Sequence, residues 1–144
     1  MADQLFLVVT FGILPFWALL VFAPRWRWTQ RVVHSLWLAL PLAVAYGIAQ
    51  ATDPNTSPDA GFHSLPAVVA LFGTKEAILA GWIHFVVVDL FVGAWEVRDA
   101  QRNGIHHGFV VPCLLLTLAM APFGLAAYGL VRLVKTRRLS LGPD

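Results

Sequence analysis

The chain has 144 residues, of which 58% are hydrophobic and only 12% are charged. Soluble domains are about 45–50% apolar and about 25% charged, so the composition excludes an ordinary water-soluble domain. The net charge of +2 does not indicate a nucleic-acid partner, because the basic residues form short clusters beside apolar runs, where they can anchor to lipid headgroups.

Four apolar stretches are long enough to cross a bilayer, which takes about 20 helical residues. None of them alternates with period 2, and only helices or closed barrels satisfy the backbone in lipid, so helices are predicted. They cover Leu5–Ala23, Val32–Ala51, Ala77–Trp95 and Gly108–Val131. Internal prolines are expected to kink these helices without breaking them. The predicted fold is all-α, an integral membrane four-helix bundle forming a single transmembrane domain, 1–144.

The connections between these helices differ in character. Pro24–Arg31 is short and basic, with tryptophans suited to the membrane interface. Asp53–Gly61 is rich in turn residues and precedes Ser64–Phe72, in which Ser64 can cap a helix too short to span. This helix is predicted to lie at the interface or to be re-entrant. Glu96–His107 is expected to be the most polar loop.

Membrane orientation depends on the distribution of lysine and arginine. The first and third loops share one face, and the basic C-terminal tail is expected on the other, so the charge bias is nearly balanced. The first helix favours cytoplasmic placement of loops one and three. An N-terminus without an Arg/Ser-rich transit sequence favours a bacterial cytoplasmic membrane over a plastid.

Asp89 is the most informative residue of the third span. A charged aspartate at a helix centre costs about 2.5–3.5 kcal/mol, and such residues face the bundle interior and mark functional paths. The alternative is a hydrogen-bonded aspartate that joins two helices. Glu96 lies within about 20° of the same helix face and Asp99 is one turn further along, whereas His84 is rotated by about 140° from Asp89.

Histidines near one membrane face leave a cofactor site open. His34, His106 and His107 are expected near the face that carries Glu96 and Asp99, and imidazole with carboxylate suits iron, manganese or zinc. A haem held by two histidines, such as His84 and His107, is a further alternative. Because no His-x-x-His or Glu-x-x-His spacing is present, the metal is left unknown.

The segments GWIHFVVVDLFVGAWEVRD and HHGFVVPCLLLTLAMAPFGL resemble the abscisic-acid-deficient-four-like family. The resemblance is strong over the second half of the chain. It departs from the family pattern at His106, where a proline is expected, and at Ala121, where a glycine is expected. The positions to which it assigns importance are His84, Asp89, Trp95, Asp99, His107 and Pro112.

The resemblance implies a carotenoid-modifying membrane protein, because plant members are linked to neoxanthin formation in plastid membranes. The implied reaction is a redox-neutral isomerisation of a xanthophyll that needs no cofactor. Asp89 would be the acid and His84 or His107 the base, with Glu96 and Asp99 as further catalytic candidates. The residues that could line a groove for the polyene are Trp37, Trp82, Phe85, Phe91 and Trp95.

Two alternatives from other classes remain open. One is a non-catalytic carotenoid-binding or accessory subunit of a larger membrane complex. The other is a haem- or metal-dependent membrane enzyme. The expected partners are membrane lipid and a carotenoid or other polyene, with a homo-oligomer or a larger complex as further options.

Overall fold

The computed structural model describes residues 1–55, 57–138 and 140, and every regular element in these ranges is a helix. The predicted all-α class is therefore confirmed. The α-helices are α1 Ala2–Gly12, α2 Leu14–Phe22, α3 Ala39–Ala51, α4 Leu65–Leu71, α5 Lys75–Arg102 and α6 His107–Thr136. A π-helical turn, Thr29–Val33, and a 3-10 turn, Leu36–Leu38, precede α3.

Within the described residues, three segments are long and apolar enough to cross a membrane: Ala2–Phe22, Lys75–Arg102 and His107–Thr136. The second predicted span is less regular than expected, because only the shorter apolar helix Leu36–Ala51 covers it. The four-helix bundle thus stays a prediction. The third predicted span, by contrast, lies within α5, which has 28 residues and ends at Arg102. Much of the expected polar loop Glu96–His107 is therefore helical.

The chain divides into two compact units. Unit 1 comprises Met1–Leu14 and Leu36–Val87, and unit 2 comprises Pro15–Ser35 and Val88–Asp144. Each unit contains an N-terminal segment and a segment far along the sequence. Long-range packing within each unit therefore stabilises it. The single transmembrane domain stays a prediction.

Unit 1 is fixed by caps and by one tryptophan. Ser64 caps α4 by accepting a hydrogen bond from the Ala67 N–H, and Thr74 caps α5 through the Ala77 N–H at 3.1 Å. Trp82 donates its indole N–H to Thr10 Oγ1 at 2.9 Å, which joins α5 to α1. The capping role predicted for Ser64 is confirmed, whereas an interfacial or re-entrant position of α4 stays a prediction.

Unit 2 contains a reversal within α6. The backbone leaves helical geometry at Met120, with φ −155° and ψ 83°. Lys135 Nζ lies 4.1 Å from the ring centroid of Phe109, although 26 residues of straight helix would separate them by about 39 Å. The two halves of α6 are therefore antiparallel, and Met120 is their turning point.

Two residues beside the turning point explain why it can form. Pro122 has no N–H group and stands in the first turn of the returning half, where that donor would lack a helical partner. A Cβ atom on Gly124 would overlap the Oγ1 and backbone atoms of Thr117, so only glycine permits this close approach. The reversal is thus sharper than the kink predicted from Pro122.

Gly124→Ala is expected to lower the free energy of unfolding by about 1–3 kcal/mol, the usual cost of overpacking. Gly129→Ala, in the same half of α6, is the matched control, because a Cβ at position 129 has no neighbour within 4 Å. The control should be neutral or stabilising, since alanine favours helix. Thermal unfolding of both variants in detergent measures the difference, and equal midpoints would contradict the close packing.

Candidate functional site

Five polar side chains of unit 2 form what we call the buried polar cluster: Glu96, Asp99, Thr117, Tyr128 and Arg132. Glu96, Thr117 and Tyr128 are fully buried, and Arg132 is only 5% exposed. They meet because the two halves of α6 return past the C-terminal part of α5. A straight α6 could not bring both Thr117 and Tyr128 beside neighbouring turns of α5.

Glu96 is the carboxyl of this cluster whose two oxygens differ in hydrogen bonding. Its Oε1 accepts a hydrogen bond from Thr117 Oγ1 at 2.9 Å. Its Oε2 is buried and has no hydrogen-bond partner among the residues that the structure describes. An unsatisfied buried polar atom costs free energy, so such atoms need a physical explanation, and a bound substrate atom is one.

Asp99 differs from Glu96 in that one of its carboxylate oxygens accepts two hydrogen bonds. Asp99 Oδ2 accepts hydrogen bonds from Tyr128 Oη at 2.6 Å and from Arg132 Nε at 2.8 Å. Trp95 packs its ring edge-on to Tyr128, with centroids 5.5 Å apart. Asp99 therefore holds the returning half of α6 against α5, and its candidate catalytic role stays a prediction.

Neither Tyr128 nor Arg132 is among the candidate residues that the sequence indicated. The two residues are four apart, which places both on one helix face. That spacing was readable from the sequence. Their partner Asp99 was not, because the pairing exists only where α6 reverses.

Asp89 lies inward in unit 2, with 5% of its surface exposed. It shares a helix face with Gly93, where a Cβ would come within 2.8 Å of the Trp17 ring, and with Glu96. No hydrogen bond to its carboxyl occurs within the described part of the chain. The structure thus buries Asp89, as its position in the span predicted, and no described residue forms a hydrogen bond with its carboxyl.

The remaining predicted residues are divided between the units. In unit 1, His84 and Phe85 are exposed on α5, Trp37 is 72% exposed, and Trp82 packs against Phe6 with ring centroids 5.5 Å apart. In unit 2, Phe91 is 59% exposed and Trp95 is partly buried. Their roles in substrate binding, and that of His84 in catalysis, stay predictions.

A cleft of about 480 Å³ opens in unit 2 where α2 ends and α6 begins. His107, which lines it, contacts the Val21 carbonyl oxygen through Nε2 at 2.9 Å. Because a carbonyl only accepts, Nε2 carries the proton, which leaves Nδ1 as an acceptor in the neutral ring. His107 can therefore act as a base at Nδ1.

His106 lines the same cleft and caps α6. Its Nδ1 accepts a hydrogen bond from the Gly108 N–H at 3.1 Å, so its Nε2 carries the proton and remains a donor. The histidine that replaces the expected proline thus has a structural role. Across the described ranges no group of three or more His, Cys, Asp or Glu side chains is placed to hold a metal ion.

His34 is an orphaned base in unit 2. Both its ring nitrogens are buried without a hydrogen-bond partner in the portion of the chain described. Burial, and secondly the positive charge of Arg98, lower the pKa of His34 from 6.5 to about 4. The folded protein therefore keeps this ring neutral at pH values at which the unfolded chain protonates it.

A pH dependence of stability follows from His34. Because the unfolded state binds the extra proton, His34 destabilises the fold progressively as the pH falls from 6.5 to about 4. His34→Phe removes this contribution, so its unfolding midpoint should fall less steeply over that range than that of the wild type. His63→Phe, at an exposed histidine, is the control. Parallel curves for wild type and His34→Phe would contradict the assignment.

Comparison with known proteins agrees with these motifs. The chain is 27% identical over 134 residues to the protein ABA DEFICIENT 4, chloroplastic, of Arabidopsis thaliana. The match covers 88% of the chain but 60% of that relative, so the chain spans less than two thirds of its length. No solved structure matches. The family model described as ABA DEFICIENT 4-like matches residues 4–128, and the chain belongs to this family.

Proposed function

We propose that the chain is a membrane-embedded isomerase that converts an epoxy-carotenoid by redox-neutral acid–base chemistry. The observation that carries the proposal is Glu96, a fully buried carboxyl with one unpartnered oxygen inside a helix apolar enough to cross a membrane. Family membership supports the substrate class, through the neoxanthin link that the motif resemblance implies. Residues able to donate and accept protons serve this chemistry without a cofactor.

The proposed reaction balances within one molecule. A carboxylic acid donates its proton to the epoxide oxygen as the carbon–oxygen bond breaks. A base removes a proton from the adjacent chain carbon, and the electrons of that C–H bond form the new double bond. Product and substrate have the same composition, so no oxidant, reductant or co-reactant is consumed.

The residues of unit 2 supply both kinds of group. Glu96 and Asp89 are the proposed acids, since both carboxyl groups are buried on α5 and a protonated carboxyl can donate to an epoxide oxygen. His107 is the proposed base, through the Nδ1 that its bond to Val21 leaves free to accept. Phe91 and Trp95, on α5 between and beside the two carboxyls, are proposed to contact the polyene.

Two finer features belong to the same proposal. The apolar helix Leu36–Ala51 is proposed as a further membrane segment of the bundle. The membrane is proposed to be the bacterial cytoplasmic one. Fractionation of a bacterial host that expresses the chain tests the second point.

Expression in a host that accumulates epoxy-carotenoids, followed by pigment chromatography and mass spectrometry, tests the function. The expected result is a new pigment of unchanged mass that appears only with the expressed chain. Purified protein that carries unconverted polyene would contradict catalysis and favour the carotenoid-binding alternative. A host with unchanged pigments and protein without polyene would contradict both.

A further inference from the structure

Charge is divided unequally between the two units. Unit 2 carries nine of the ten Lys and Arg residues and four of the eight Asp and Glu residues. Unit 1 carries Lys75 and the other four acidic residues. The small net charge of the chain therefore conceals a basic unit and an acidic one.

The cations of unit 2 gather at one end of that unit, which we call the basic end. Gln101 Nε2 donates to the Pro24 carbonyl at 3.3 Å, so the end of α5 lies beside the loop that follows α2. Lys135 lies over Phe109, which brings the end of α6 back to its own beginning. The basic end comprises Arg25, Arg27, Arg31, Arg98, Arg102, Arg132, Lys135, Arg137 and Arg138.

Among the described residues of unit 2, the carboxyl groups compensate few of these charges. Asp99 is bound to Arg132, and Glu96 and Asp89 are buried. Most of the other cations, Arg25 and Arg102 among them, are exposed. The basic end thus presents an excess of positive charge.

Aromatic side chains and the cleft add specificity for a lipid surface. Trp28 has the guanidinium groups of Arg27 and Arg31 within 5.7 and 5.8 Å of its ring centroid, and the ring is 44% exposed. Exposed tryptophan beside arginine is typical of the headgroup region. The cleft is lined by Arg25 and His106. Because His106 Nδ1 accepts from the Gly108 N–H, the Nε2–H group of His106 can donate a hydrogen bond to an anionic oxygen.

We propose that the basic end binds anionic phospholipid headgroups of one leaflet, with a lipid phosphate in the cleft beside Arg25 and His106. Basic residues close to a membrane surface attract anionic lipids at about 1 kcal/mol each, so several exposed cations on one surface would discriminate strongly between charged and neutral lipid. Lipid binding here does not require the proposed isomerase activity, although His107, the proposed base, lines the same cleft.

Full-length protein in neutral detergent tests the proposal by thermal unfolding. Short-chain phosphatidylglycerol is expected to raise the midpoint by several degrees, whereas phosphatidylcholine and glycerol phosphate at the same concentration should not. High salt should weaken the effect, because these charges are exposed. An equal shift with phosphatidylcholine would overturn the charge-based proposal. A shift with glycerol phosphate alone would overturn its lipid source.

Charge-removing variants separate the basic end from the rest of the chain. Arg25→Gln/Arg102→Gln should lose at least half of the shift produced by phosphatidylglycerol. Lys75→Gln, which removes an exposed cation of unit 1, is the matched control and should keep the shift. The same loss in both variants would overturn the assignment. Because all three side chains are exposed, folding should persist, and the midpoint without lipid verifies it.

Discussion

Glu96→Gln is expected to reduce formation of the isomerised carotenoid by about 100-fold or more, the usual contribution of a general acid. Glutamine can still accept the hydrogen bond that Thr117 donates, so the contact between α5 and α6 survives. It cannot supply an acidic proton from the position of Oε2. Product per unit of accumulated protein, from pigment chromatography and immunoblotting, measures the loss.

Matched carboxyl-to-amide variants show whether the loss is specific. Glu76→Gln makes the same chemical change in the first turn of α5, within unit 1, and should leave conversion unchanged. Asp89→Asn should also lose conversion if both buried carboxyls act. Wild-type conversion by Glu96→Gln with loss in Asp89→Asn would assign the acid to Asp89 and exclude Glu96.

Glu96 and Asp99 became distinguishable only with the structure. On the sequence, Asp89, Glu96 and Asp99 form one stripe along a helix, and nothing separates an acid from an ion-pair partner. Burial of Asp89 and the cap at Ser64 follow from local pattern and were predicted. The engagement of Asp99 depends on residues about 30 positions away.

The reversal at Met120 is what the sequence could not reveal. Pro122 in an apolar span indicates a kink, and the same residue suits the first turn of a returning helix. The choice between them rests on long-range contacts, such as Thr117 with Glu96 and Lys135 with Phe109. Such contacts leave no periodic trace in a single sequence.

This reversal also changes the expected membrane topology. A continuous α6 would carry the basic tail to the face opposite the α5–α6 turn, which made the charge bias nearly balanced. With α6 folded back, nine of the ten basic residues lie at the end of unit 2 where α5 ends. The Lys/Arg bias then favours this end on the cytoplasmic side, as the first helix alone had suggested.

The largest topological effect concerns the C-terminus. In a Cys113→Ser background, two single-cysteine variants should react with a membrane-impermeant maleimide from the same side. One carries Asn103→Cys, and the other carries a cysteine added after the last residue. Cysteine in place of Ala2 is the control. It should react from the opposite side, because Ala2–Phe22 is long enough to cross the membrane. Sealed cells and inverted vesicles give the two sides.

The two architectures of α6 make opposite predictions in this experiment. A folded-back α6 places an odd number of crossings between Ala2 and the C-terminus, if Leu36–Ala51 crosses, whereas a straight α6 places an even number. Co-labelling of the C-terminal cysteine with Ala2→Cys would therefore show that α6 spans the bilayer. In that case Asp99 could not hold Arg132, because about 38 Å of straight helix separates Arg132 from the α5–α6 turn. A result that excludes the folded-back α6 would thus also exclude the Asp99–Arg132 contact of the buried polar cluster.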